Sequence, residues 1–229
     1  MKRILITGSK GHIGKALVGD LSKDYNLTLF DLPKFDARNY QQLLKVFTGH
    51  DTIIHLAWNS KTENFQNNRI DPNNALMFSN VYKAALEAKV LRVIMASSIH
   101  ADDFYTSLKN KSRILLSPYK KPSPDSPYGE DKIIMENMGK KYSKRGLEVV
   151  CIRIGAIGDK IGGDSRGNGE AMATWLSFRD FSDLIRKIVE AKKVPNNYSI
   201  IYGVSNNKTR VHNYSNPFGW KPRDDSSKK

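Results

Sequence analysis

The chain has 229 residues, a length for one domain or one domain with a small appendage. It carries 37 lysines and arginines against 23 acids, a formal net charge of +14, and one cysteine, Cys151, which excludes an internal disulfide framework and a cysteine-rich metal site. The basic residues fall in scattered clusters without a nucleic-acid motif, and no apolar run reaches the roughly 18 residues of a membrane span, so they describe a solvated surface that could steer an anionic small molecule.

Met1-Lys2-Arg3 runs straight into Ile4-Leu5-Ile6, with no signal peptide, so a cytoplasmic protein is expected. The three apolar residues predict a buried strand, and Gly8, Gly11 and Gly14 follow at G-x-x-G-x-x-G spacing. Ile13, Leu17, Val18 and Leu21 then recur at a helical period. Strand, glycine turn and helix form the arrangement that holds a dinucleotide. Gly8 permits the tight turn, Gly11 lets the backbone approach a pyrophosphate, and Gly14 lets helix and strand pack. The helix start at His12 and Ile13 faces the phosphate charge. Asn26–Phe30 predicts a second strand ending in Asp31, 23 residues after Gly8 and close to the roughly 20-residue interval of a ribose-binding acid. A carboxylate there accepts from both ribose hydroxyls and repels a 2′-phosphate, which argues for NAD over NADP, although Lys34 and Arg38 could soften that preference.

Tyr40 to Phe47 fits a short helix and Asp51 to Ala57 a buried third strand. Residues 58 to 71 lack periodicity and predict a loop. Pro72 to Ala88 predicts a long helix with its proline in the first turn. Leu91 to Ser98 is a fourth strand ending in two hydroxyls, followed by a long basic loop to Pro127. Tyr128 to Arg145 predicts a helix closed by Gly146, and Leu147 to Gly155 a fifth strand. Residues 156 to 171 are glycine-rich and predict a mobile loop over a site. Asp180 to Lys192 is a helix, Tyr198 to Val204 a strand, and the last 15 residues are polar and expected to be extended. The alternation predicts one α/β domain over 1–229, a Rossmann-like doubly wound parallel sheet. A small C-terminal substrate-binding portion is drawn from about 156–179 and 205–229. Ligands of such sheets sit at the carboxyl ends of the strands, where Gly8, Asp31, Ala57, Ser98 and Gly155 fall.

Tyr128 and Lys132 stand at i and i+4, one turn apart on one helix face. An adjacent ammonium, with the positive nicotinamide of an oxidised cofactor, would lower the phenol's pKa from about 10 and make Tyr128 a general base. Ser98, at the end of the preceding strand, could hydrogen-bond the reacting oxygen. A surface Tyr–Lys pair alone would mean little; the ordered conjunction of glycine turn, Ser97-Ser98 strand end and Tyr-x-x-x-Lys gives it weight.

On these residues, with His55-Leu56-Ala57 and Arg153-Ile154-Gly155, the sequence resembles an extended short-chain dehydrogenase/reductase of the NAD-dependent epimerase/dehydratase superfamily. Ser97-Ser98-Ile99-His100, Thr174-Trp175-Leu176-Ser177 and Gly219-Trp220-Lys221-Pro222 bring it nearest the uronate dehydrogenases. The resemblance implies hydride transfer to NAD, with a sugar acid oxidised at C1 to a lactone. Tyr128 would take the hydroxyl proton, Lys132 would bind the nicotinamide ribose, and Ser98 would orient the reacting oxygen. It also implies that Asn74 supports the lysine through water, that Asp36 contacts the adenine, and that Leu56, Ala57 and Ile154 line the cofactor. Ser60, Ser98 and His100 match substrate-contacting positions, and Arg166 is the candidate for gripping a carboxylate. A small-molecule sugar or sugar acid is the expected partner, and a homodimer through the tyrosine-bearing helices is usual in the family. Three positions depart from the pattern: a serine is replaced by Ala156, a glycine by Trp58, and Glu170-Ala171 stands where an arginine is expected. A sugar epimerase or reductase, or a non-catalytic dinucleotide sensor, remain the alternative readings.

Overall fold

The computed structural model describes residues 1–60, 63–112, 114–159 and 169–228, the side chain of Phe65 excepted. Six strands form one sheet: β1 (Arg3–Thr7), β2 (Asn26–Phe30), β3 (Thr52–His55), β4 (Arg92–Ser98), β5 (Glu148–Ile154) and β8 (Tyr198–Gly203). Their order is β2-β1-β3-β4-β5-β8 and every neighbouring pair is parallel. The chain winds outward from β1 in one direction to β2 and then in the other from β3 onward. A crevice therefore opens between the carboxyl ends of β1 and β3, as expected at such a switch point.

Side chains alternate between the two faces of each strand. Ile4 and Ile6 of β1, Ile54 of β3 and Ile152 of β5 pack on one side with Leu17 of α1 (His12–Leu21) and Leu184, Ile185 and Ile188 of α8 (Phe178–Glu190). Leu5, Ile53, Val93, Met95 and Val149 pack on the other side, with Phe47 of α2 (Tyr40–Phe47), Phe78 and Val81 of α4 (Pro72–Glu87) and Met135 of α6 (Pro127–Ser143). Each such side chain contributes about 1.5–3 kcal/mol on leaving water.

Four of the longer helices start with a side-chain cap. Asn39 accepts from Gln42 N, Asp71 from Asn73 N, Ser126 from Gly129 N and Ser177 from Asp180 N. Helix α1 begins at Gly11 with no side-chain cap and no acid in its first turn.

The predicted loops hold more structure than their sequence suggests. Residues 58 to 71 contain α3 (Glu63–Gln66), and the segment before Pro127 contains a 3-10 turn (Ile99–Ala101) and α5 (Phe104–Lys109). The stretch from 156 carries β6 (Ala156–Ile157), and α7 (Gly169–Thr174) leads into β7 (Trp175–Leu176), which pairs with β6. The middle of the predicted mobile loop lies outside the described residues. The polar C-terminal stretch is not a loose extension. Asp180 is fully buried and accepts from Arg223 N at 2.9 Å, Asp224 N at 3.0 Å and the Ser205 hydroxyl at 2.7 Å. The indole of Trp220, 3% exposed, donates to Asp180 O at 3.0 Å. Among the described residues, no helix is long and apolar enough to cross a membrane.

One buried cation ties the elements below the sheet's carboxyl edge together. The Arg153 guanidinium donates to Glu136 of α6 at 2.7 and 2.9 Å and also reaches Asp102, to which the Tyr202 phenol donates. The Ser97 hydroxyl donates to the same Glu136 at 2.6 Å. Buried charges persist in a fold when paired and fully hydrogen-bonded, as these are.

Candidate active site

Two clefts meet at the carboxyl edge of the sheet. The first, about 680 Å³, is lined by Gly8, Gly11, Asp31, Asp36, Leu56, Ala57 and Trp58 among others. Gly11 N closes the turn on Gly8 O at 3.1 Å. A Cβ on Gly14 would stand 2.3 Å from Gly8 O and 2.8 Å from Ser9, so only glycine lets α1 start this close to the turn. Asp31, at the end of β2, accepts from Lys10 N and Leu32 N, each at 2.7 Å, and is thereby fixed at the rim. These residues fit a dinucleotide on a specific ground: α1 is the long helix whose first N–H groups no side chain satisfies, and they open beside the glycine turn, ready for phosphate oxygens. Asp36 is chelated by Arg38, with Nη2–Oδ2 at 2.6 Å, and that guanidinium holds its carboxyl below the usual range. The Arg38 charge, considered above as a softening of NAD preference, is thus already engaged, and the Lys34 ammonium lies over the Phe35 ring. His12 packs its ring against Phe178. Asn74 is buried and accepts from Asn59 N at 2.7 Å, so its side chain holds the segment after Trp58.

The second cleft, about 410 Å³, gathers Ser98, Tyr128 and Lys132 with Ile13, Ser60, His100 and Ile154. It shares Leu56 and Trp58 with the first. Ser98 ends β4, and Tyr128 opens α6. The two meet because a Cβ on Gly129 would lie 2.0 Å from His100 O, so that only a glycine allows the helix to press on the 3-10 turn. The Ser98 hydroxyl is hydrogen-bonded to the Tyr128 phenol. Lys132, 3% exposed, donates from Nζ to Ala96 O at 2.7 Å and lies 3.4 Å from the centre of the Trp58 ring.

Burial sets the electrostatics of the pair. Burial raises the Tyr128 pKa, and the Ser98 hydrogen bond pulls it back. Burial also pushes Lys132 down to about 7. The reason is geometric: the ammonium faces Ala96 O and Trp58, with the Tyr128 ring centre 5.3 Å away.

His100 is oriented by Asp125, with Nδ1 2.8 Å from Oδ2, and its ring centre lies 5.9 Å from that of Tyr128. Arg166 lies outside the described residues. Ala156, Phe104, Glu170 and Thr174 complete the wall. Sequence reasoning marked Trp58 and Glu170 as departures without assigning them to the site. Asp125 and Phe104 gave no local signal, because it is the turn after β4 that brings them inward.

The model of the NAD dependent epimerase/dehydratase family matches residues 4–158. An L-arabinose 1-dehydrogenase (NAD(P)(+)) of Haloferax volcanii is 30% identical over 254 residues, covering 99% of this chain and 98% of that protein. A uronate dehydrogenase of Pseudomonas syringae pv. tomato is 30% identical over 241 residues, covering 98% and 82%. Among solved structures, uronate dehydrogenase from Agrobacterium tumefaciens superposes with a TM-score of 0.84 at 27% identity, covering 100% of this chain and 86% of that one. A mutant of that enzyme complexed with NAD gives 0.84 at 26%, covering 100% and 87%.

Proposed function

The chain belongs to the NAD-dependent epimerase/dehydratase family, and from that premise we propose that it is an NAD-dependent dehydrogenase that oxidises a sugar or sugar acid at the C1 hydroxyl to a lactone. The observation that carries this reading is the meeting of Ser98, Tyr128 and Lys132 in one cleft that shares Leu56 and Trp58 with the glycine-turn cleft. A reduced carbon held against Tyr128 is then next to the ring end of a dinucleotide bound along Gly8–Gly14 and Asp31.

Gly11, His12, Ile13 and Gly14 would hold the pyrophosphate through backbone N–H groups, Asp31 the adenosine ribose, and Lys132 the nicotinamide ribose. NAD supplies, when bound, a positively charged ring able to accept a hydride. Ser98 orients the C1 hydroxyl by hydrogen bonding. Ionised beside the positive charge that NAD would bring, Tyr128 takes the hydroxyl proton at its phenolate oxygen as the C–H bond on the same carbon breaks. Leu56, Ile154 and Trp58 exclude water from the reacting carbon. Segments 156–179 and 205–229 would shape the sugar pocket. A homodimer would cover Leu76 of α4 and Ile134 of α6, which are 46% and 45% exposed.

The test is NADH formation, followed by absorbance across neutral aldoses and uronic acids. Tyr128→Phe should keep NAD binding and lose oxidation by roughly a hundredfold or more, the usual worth of a general base. Unchanged oxidation by that variant refutes the mechanism.

A further inference from the structure

Lys132 is held by a ring that the mechanism above uses only as a wall. An ammonium has three N–H donors. One of those on Lys132 goes to Ala96 O at 2.7 Å. Nζ also lies 3.4 Å from the centre of the Trp58 ring, well inside the roughly 6 Å within which an aromatic face attracts a cation. Phe78 stacks with the same indole, the planes 15° apart and the centres 6.5 Å apart, and Tyr128 meets it edge-on at 5.7 Å. The indole N–H is buried and meets no acceptor among the described residues. A buried indole ordinarily finds one, so the contacts that place this ring are those of its face and rim.

The attraction between a ring face and a cation acts on the charged form of the lysine and offsets part of what burial takes from it. The ionisable groups that bear on the ammonium are Asp131 and Glu136 of its own helix, Cys151 of β5 and His55 of β3, with the Tyr128 ring centre 5.3 Å away. Trp58 does not titrate, so replacing it leaves each of these groups in place.

Resting on the dehydrogenase reading above, we propose that Trp58 is a positioning residue for Lys132: its ring face keeps the ammonium charged and aimed, with an N–H left to donate to the nicotinamide ribose. Trp58 itself takes no part in the proton transfer at Tyr128.

Trp58→Phe and Trp58→Leu separate the ring face from bulk, since the two replacements are similar in size and only one has a π face. In cofactor-free protein with isotope-labelled lysine, the Lys132 signal is the one missing from Lys132→Met. Its Cε titration in Trp58→Leu should have a midpoint about one pH unit below that in Trp58→Phe. Calorimetric titration with NADH, which is anionic and is not consumed, should find Trp58→Phe close to wild type. Trp58→Leu should bind NADH roughly tenfold more weakly at about pH 8, and far less weakened at about pH 5.5, where both lysines are charged. A purely structural role for the ring would weaken binding alike at both pH values. That result, or equal midpoints in the two variants, overturns the inference and leaves the dehydrogenase reading standing. Tighter NADH binding by Trp58→Leu than by wild type does the same, since the ring would then stand in the ribose's way. Should neither variant fold, the wild-type spectrum decides. The Lys132 Hε protons must resonate upfield of the ordinary lysine position, under the ring current of the indole, and unshifted protons overturn the inference. A wild-type protein that binds no NADH at either pH overturns the dehydrogenase reading and this inference with it.

Discussion

Lys132 gives the sharpest physical prediction. Its side chain is 3% exposed, and burial pushes its pKa from 10.5 down to about 7. A base whose proton affinity falls on folding makes the unfolded chain bind more protons between pH 7 and 10.5, so stability should rise with pH across that window. At about 1.4 kcal/mol per tenfold change in proton affinity, the fold carries a penalty of up to about 5 kcal/mol below pH 7. Roughly 2 kcal/mol of it is relieved between pH 7 and 9. Lys132→Met keeps the apolar stem against Trp58 and removes the ionisation. Asp131, raised by its own burial to about 6 against the pull of the Lys132 ammonium, is replaced by Asn in both proteins so that its titration stays out of the comparison. Urea unfolding of the cofactor-free protein at pH 7 and 9 should show the lysine form gaining about 2 kcal/mol more than the methionine form. Parallel pH profiles for the two proteins would refute the burial argument for this lysine.

Other perturbations follow from single contacts. Asp31→Ala removes the carboxylate fixed by Lys10 N and Leu32 N and should weaken NAD by roughly tenfold or more while raising relative NADP use; titration with both cofactors checks it. Gly14→Ala places a Cβ 2.3 Å from Gly8 O, so the turn must shift, at a cost of about 1–3 kcal/mol seen in thermal melts. Arg153→Met leaves Glu136 and Asp102 buried without their cation and should cost about 3–5 kcal/mol in denaturant unfolding; a smaller loss than about 1 kcal/mol would mean that water reaches them.

The parts of the site that were legible in the sequence are those built from local chemistry. The glycine turn, Asp31 at the end of β2, and the i, i+4 pair Tyr128 and Lys132 declare themselves because spacing along one element sets their geometry. The sheet was legible for the same reason, since buried parallel strands are short apolar runs. What stayed hidden depends on distant partners. Asp180 looks like a helix-start acid in the sequence, yet it anchors the backbone of Arg223 and Asp224 more than 40 residues away. Asp125 looks like an ordinary loop acid until the turn after β4 sets His100 against it. Sequence spacing also gives no depth of burial, and burial raises the Tyr128 phenol and lowers the Lys132 ammonium.

Trp58 has an optical consequence. The chain contains three tryptophans; Trp175 and Trp220 are 1% and 3% exposed in the packed interior, while Trp58 forms part of the wall of both clefts. Its indole lies beside an ammonium on one side and edge-on to the Tyr128 ring, centre to centre 5.7 Å, on another. The protein therefore contains its own chromophore at the junction of its two clefts. Changes in emission on adding a dinucleotide, and again on adding a sugar, can be assigned to one ring without a label.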